Sequence, residues 1–151
     1  MGEEWKANLA SCFEEIRILQ VSKKETVENF NQFCEFIAEP AFEALVEEFK
    51  EYGIKTKITK IPGKSIILRV NFPKSRIDNF HYIIYLPKNS LELVVKLKIG
   101  GRRDKKSSYQ EKPVPFLTGN RFQDVFKVKK SDLIQEVIEQ YRNFNFEALA
   151  S

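Results

Sequence analysis

The sequence predicts an α+β fold: a two-layer domain in which an antiparallel β-meander of about four to six strands carries N-terminal and C-terminal helices packed on one face. Three observations lead there. Apolar residues recur every three or four positions up to residue 53, alternate from 54 to about 129, and return to helical spacing up to the end. The alternating stretches are joined by short connections, which makes neighbouring strands antiparallel. Only one side of each alternating stretch is strongly apolar, so a single layer of helices suffices to cover the sheet.

In the first part, Trp5, Leu9, Cys12, Phe13, Ile16 and Leu19 mark one helix. Ser22 and Glu25 have the spacing of a capping box, which predicts a second helix through Val27, Phe30, Phe33, Cys34 and Ile37. Pro40 lacks an amide hydrogen and crowds the preceding turn, so a kink or restart is expected there. Phe42, Leu45, Phe49 and Tyr52 then line one face, Glu43, Glu47, Glu48 and Glu51 the other, and Gly53 supplies a left-handed stop.

The strands follow. Ile54, Thr56 and Ile58 alternate with Lys55 and Lys57, and Ile61–Lys64, "IPGK", reads as a turn with proline and glycine at its central positions. Ile66, Leu68, Val70 and Phe72 form the next apolar face, then Phe80, Tyr82, Ile84 and Leu86, then Leu91, Leu93, Val95, Leu97 and Ile99. "YQEKPVPFL" is at best a short edge strand, because Pro113 and Pro115 cannot donate to a ladder. Phe122, Phe126 and Val128 alternate with Lys127 and Lys129 as a last strand, and Ser131 caps a helix striped by Leu133, Ile134, Val137, Ile138, Tyr141 and Phe144.

Residues 1–151 are expected to form a single domain. At this length, with 42% hydrophobic residues and thirteen phenylalanines, the chain has the material for a real core. No apolar run approaches the roughly 18 residues of a membrane span, the start is acidic rather than signal-like, and a cytosolic protein is expected, with no membrane partner. Two cysteines are too few for a disulfide framework, and both Cys12 and Cys34 sit among apolar residues, which favours buried thiols.

Charge divides the chain as the periodicity does. The helical segment 1–53 holds five Lys/Arg against twelve Asp/Glu, the meander 54–130 nineteen against five, and the closing helix 131–151 one against four. On the outer face of the expected sheet the alternation collects Lys55, Lys57, Arg69, Lys96, Lys98, Lys127 and Lys129, with His81, Ile67, Ile83, Tyr85 and Val94 among them. A Gly-Gly pair opens an adjoining 100–106 loop that adds Arg102, Arg103, Lys105 and Lys106, its glycines read as allowing a sharp bend. Cations beside an aromatic suit a polyanion such as DNA or RNA, phosphates meeting lysines and bases stacking on the ring. The same lysines also serve solubility and keep an exposed sheet from pairing at its edges.

The expected function is therefore a non-catalytic binding module. Alternatives are a protein-interaction or homo-oligomeric domain, the acidic helices of one copy meeting the basic sheet of another or an acidic protein surface, and a small-molecule pocket between sheet and helices. No cofactor or metal motif is evident. "GKS" at residues 63–65 lacks the upstream glycine and the following helix of a phosphate loop. A metal-dependent nuclease built on Asp78 and Asp104-Lys105-Lys106 is a remote alternative, because Asp104 lies outside the alternating stretch. His81, the sole histidine, faces away from the expected core without ligand-type neighbours, while Tyr82 reads as a core residue and Tyr109 as a loop anchor.

Overall fold

The computed structural model describes residues 2–117 and 125–150. Its architecture is the expected α+β one: a long N-terminal helix, a five-stranded antiparallel meander, and a C-terminal helix.

Helix α1 runs without interruption from Glu4 to Phe33. The two helices expected on either side of Ser22 are in phase, Leu19 standing one heptad before Thr26, and no glycine or proline separates them. Ser22 is consequently mid-helix, its carbonyl accepting a hydrogen bond from Thr26 Oγ1 at 2.9 Å. At Pro40 the chain widens instead of breaking. Residues Cys34–Ala38 form a π-helical turn that leads directly into α2, Glu39–Lys50, with Pro40 in its first turn. The proline has no N–H for the carbonyl of Phe36 and its ring presses on that turn, and a wider turn relieves both. Gly53, at φ +70°, ends the helical layer: its N–H donates to Lys50 O at 3.0 Å and that of Ile54 to Phe49 O at 3.1 Å, a Schellman closure.

Strands β1 (Thr56–Ile61), β2 (Ser65–Asn71), β3 (Asp78–Tyr85), β4 (Lys96–Gly101) and β5 (Gln110–Val114) lie side by side in chain order. The "IPGK" turn joins β1 to β2, with Gly63 at φ +71° and its amide donating to Asn31 Oδ1 of α1 at 2.6 Å. Ile66, Leu68 and Val70 of β2, Phe80, Tyr82 and Ile84 of β3, and Leu97 and Ile99 of β4 face the helices and are buried. Pro113 sits in the edge strand, where one side of the backbone pairs with no strand among the described residues. The stretch from Leu91 to Val95, expected as strand, runs outside the ladder, and β4 begins only at Lys96.

The last expected strand is corrected. Phe122 lies outside the described residues, and Val125–Lys127 form a 3-10 turn whose Val125, with Val128, inserts into the core. Helix α3, Lys130–Ala150, then returns over α2 and β3. Leu133 and Val137 are buried, and Tyr141 and Phe144 pack on Phe80 at ring distances of 5.3 and 5.7 Å, Tyr141 also edge-on to Phe49. Leu133, Val137, Tyr141 and Phe144 thus seat α3 where α2 and β3 meet.

The domain buries only the second half of α1. Thr26, Phe30 and Phe33 are in the core, whereas every residue from Gly2 to Val21 is exposed. Cys12, expected as a buried thiol, is exposed with them, while Cys34 is buried. Among the described residues no helix is long and apolar enough to cross a membrane.

Candidate nucleic-acid interface

Among the described residues helices cover one side of the sheet and none lies on the other, where His81 and Ile83 are nevertheless buried, and the pleat decides which side chains reach it. Alternate residues of β1 and β2 pair across the strands, Lys57 opposite Arg69 and Thr59 opposite Ile67, and the row from Lys57 continues through His81 and Gly100 to Glu111. The next row runs Thr59, Ile67, Ile83, Lys98 and Pro113, and Tyr85 opposite Lys96 begins a third. Lys55 continues the alternation of β1 one step before the strand. Lys55, Lys57, Arg69, Lys96, Lys98 and Tyr85 are therefore gathered on one face. Lys60 belongs to the opposite face and ties the layers together, its Nζ 2.8 Å from Glu39 Oε2.

Lys127 and Lys129 are not there. The 3-10 turn at Val125–Lys127 and the start of α3 place them with the helical layer, because Val125 and Val128 point into the core between them.

The face is more organised than a field of lysines. Lys98 Nζ stands 4.6 Å from the Tyr85 ring centre and 3.7 Å from Glu111 Oε1. Tyr109 folds back from the β4–β5 connection, its ring lying against Gly100 and tilted over His81 at 4.9 Å, its hydroxyl donating to Glu111 Oε2 at 2.8 Å. His81 thus faces away from the core, as expected, yet is covered, with 11% of its side chain exposed. Asp78 Oδ2 lies 3.2 Å from His81 Nε2, although without hydrogen-bond alignment. Burial outweighs the carboxylate and holds the imidazole below its ordinary pKa. Burial, with the bond to Glu111 second, raises the Tyr109 phenol. Arg69 Nε is buried and has no hydrogen-bond partner among the described residues.

The glycines do a different job from the one expected. Gly100 and Gly101 are the buried end of β4 and do not bend a loop. A Cβ on Gly100 would collide with the Tyr109 ring, and one on Gly101, at φ +155°, with the carbonyl of Asn79 and the ring of Phe144. The connection itself starts at Arg102. Asn79 holds its root in both directions, its Nδ2 donating to Arg102 O at 3.2 Å and its carbonyl accepting from Arg102 N at 2.9 Å. Arg102 Nη1 closes the connection on Ser107 O at 2.9 Å. Asp104 Oδ1 accepts from the amides of Lys106 and Ser107 at 2.8 and 2.9 Å, bonds that lower its pKa. Asp104 therefore organises the turn, and Asp78 stands beside His81. Among the described residues no three His, Cys, Asp or Glu side chains converge as a metal site. Lys105 and Lys106 point to solvent at the tip.

Arg103 lines the edge of an open groove of about 510 Å³ between β4, β5, this connection and the end of α3, with Phe144 at its floor and Glu147 and Lys112 at its sides. The groove lies at the domain edge and is lined by both polar and apolar side chains.

Sequence reasoning missed two features. Tyr109 as the lid over His81 was foreshadowed only by the Gly-Gly pair, of which Gly100 makes its slot by lacking a side chain. The bare half of α1 had no local signal, since an apolar stripe does not record what covers it. Comparison with protein-family models, curated proteins and solved structures finds no match to this chain.

Proposed function

We propose that this protein is a binding module that takes single-stranded nucleic acid on the sheet face its helices leave bare. One observation carries the reading: Lys55, Lys57, Arg69, Lys96 and Lys98 share that face with Tyr85, against the two carboxylates of Asp78 and Glu111. Neighbouring strands stand about 4.8 Å apart and alternate residues along a strand about 6.6 Å, so these cations form a grid on the scale of successive phosphates. Tyr85, flanked by Lys96 and Lys98, offers a ring for a base, and stacking of that kind is tolerant of sequence. Lys105 and Lys106 extend the positive surface beyond the sheet, held in place by the Arg102 and Asp104 bonds. The function is recognition, with no reaction assigned.

Fluorescence anisotropy with a labelled single-stranded oligonucleotide at low and moderate salt tests this. Five cationic contacts, at about 0.7 per phosphate, give a log–log salt slope of about −3 to −4. Lys57→Glu with Lys96→Glu is expected to weaken binding at least about tenfold, whereas Lys127→Glu in the helical layer leaves it unchanged. Absence of binding at low salt, or equal losses from both variants, would overturn the proposal. Equal binding of duplex and single strand would remove the role given to Tyr85.

A further inference from the structure

We infer that the bare half of α1 is a dimerisation arm that pairs antiparallel with the same segment of a second copy. This does not depend on the nucleic-acid reading, because the arm belongs to the helical side of the molecule.

Among the described residues every side chain from Glu4 to Val21 is exposed, and Trp5, Leu9, Phe13, Ile16 and Leu19 expose 59, 48, 62, 44 and 50% of their surface. With Cys12, they follow the 4-3 spacing 5-9-12-16-19 of a coiled-coil seam, Phe13 at its flank. The seam continues in phase to Thr26, Phe30 and Phe33, where the stripe is buried in the domain core. A helix of this length is marginal in water unless an apolar face is packed, so the arm's order calls for a cover. Among the described residues its own domain does not supply one. The helix is unbroken from Glu4 to Phe33 and contains neither glycine nor proline, so the arm has no hinge on which to fold back.

A second arm fits on three counts. The five exposed side chains offer roughly 500 Å² per copy, taking about 150–250 Å² for a whole aromatic side chain and somewhat less for leucine and isoleucine. Two copies then remove about 1,000 Å² before flanking polar residues are counted, close to the lower end of specific interfaces at about 1,200 Å². From Trp5 to Leu19 the seam carries no charge, so identical arms do not repel along it; Lys23, the next seam position, donates to Asn89 Oδ1 at 3.0 Å. Of the charges nearby, Lys6 Nζ pairs with Glu3 Oε1 at 3.4 Å and Arg17 Nη2 with Glu14 Oε1 at 2.6 Å, both on other faces, while Glu4 and Glu15 flank the seam. With four glutamates against Lys6 and Arg17, the arm also lacks the cationic flanks of a membrane-surface helix.

Steric exclusion sets the direction. From Thr26 onward the body of the domain occupies the seam side of α1, so a parallel partner, whose helix also runs on to Phe33, would collide with it. Antiparallel arms overlap only through their bare halves, Trp5 of one copy near Ile16 or Leu19 of the other and the two Cys12 residues close to the centre.

The test uses the full chain in sedimentation equilibrium at low and high salt. The expected result is a dimer that persists in high salt, because the seam is uncharged. Ile16→Glu places an unpaired charge in each half of the seam and is expected to weaken the dimer at least about a hundredfold, while the urea midpoint stays unchanged at concentrations where both proteins are monomeric. Ile18→Glu, about 160° around the helix from Ile16, leaves the dimer intact. A short bis-maleimide should link two copies through Cys12 and fail with Cys12→Ala. Cys34 does not compete, since burial pushes its thiol up to about 12. A monomer at hundreds of micromolar, or equal loss from Ile18→Glu, would overturn the inference. A bis-maleimide link between two copies of Trp5→Cys, made on Cys12→Ala, would overturn the antiparallel direction.

Discussion

Replacing Gly100 by alanine tests the organisation of the sheet face most directly. The new Cβ would occupy the space of the Tyr109 ring, so the ring must leave the sheet and uncover His81. Tyr109 is half-buried, and displacing it re-exposes on the order of 100 Å² of a side chain that buries 150–250 Å² when fully covered. At about 25 cal/mol per Å² that costs about 2.5 kcal/mol. Loss of the contact with His81 adds about 0.5–1.5 kcal/mol. Alanine is otherwise the better strand residue by roughly 0.5–1 kcal/mol, which leaves a net loss of about 2–3.5 kcal/mol. Tyr109→Ala alone should cost a similar amount. The decisive measurement is the double-mutant cycle, with urea unfolding of all four proteins. Once Tyr109→Ala has vacated the slot, Gly100→Ala should become neutral or mildly stabilising. If Gly100→Ala costs the same with and without the tyrosine, the ring is not what keeps that position free of a side chain.

Two further outcomes follow from buried polar groups. Tyr82 is fully buried edge-on to Phe42, and its hydroxyl has no hydrogen-bond partner among the described residues. Tyr82→Phe is therefore expected to be neutral or stabilising by about 1 kcal/mol, raising the melting temperature by about 2–4 °C, whereas a clear loss of stability would reveal a bond to that hydroxyl. His81 has a folded-state pKa below its unfolded value, so the unfolded chain takes up the proton first as pH falls. The stability gained by keeping it neutral is fully present above about pH 6.5 and declines toward the lowered folded pKa, where the decline stops. Its slope is at most about 1.4 kcal/mol per pH unit. As this is the only histidine, His81→Gln should flatten melting curves between pH 7 and 5, and an unchanged acid dependence would show that other groups carry it.

Where neighbours in the chain decide the structure, the pattern of residues was readable. The Pro-Gly turn at 62–63, the Gly53 stop and the alternation of β1 to β3 each depend on φ preferences or on which side of a pleat is apolar. Reading failed where the outcome depended on distant partners. The Ser22–Glu25 cap is a sound local signal, but two in-phase helices with no breaker between them gain more hydrogen bonds by merging. Phe126 and Val128 alternate with Lys127 and Lys129 as in a strand, but a 3-10 turn at Val125–Lys127 sends Val125 and Val128 into the core and leaves Phe126 exposed. Seven of the twelve expected contact residues, Lys55, Lys57, Arg69, Tyr85, Lys96, Lys98 and the half-buried Arg102, lie on the bare sheet face or at its rim. Lys105 and Lys106 extend it, Arg103 lines the edge groove, and Lys127 and Lys129 belong to the other layer.

By itself, the sequence determined the class of the domain, the order of its layers and the division of acidic helices from basic strands, because periodicity and charge are properties of consecutive residues. Tertiary structure alone decided which apolar stripe would be covered and which would be left bare, and that Tyr109 would close over His81. Both depend on volumes that meet only after folding: a core already filled by the second half of α1, and a slot opened by the absent side chain of Gly100.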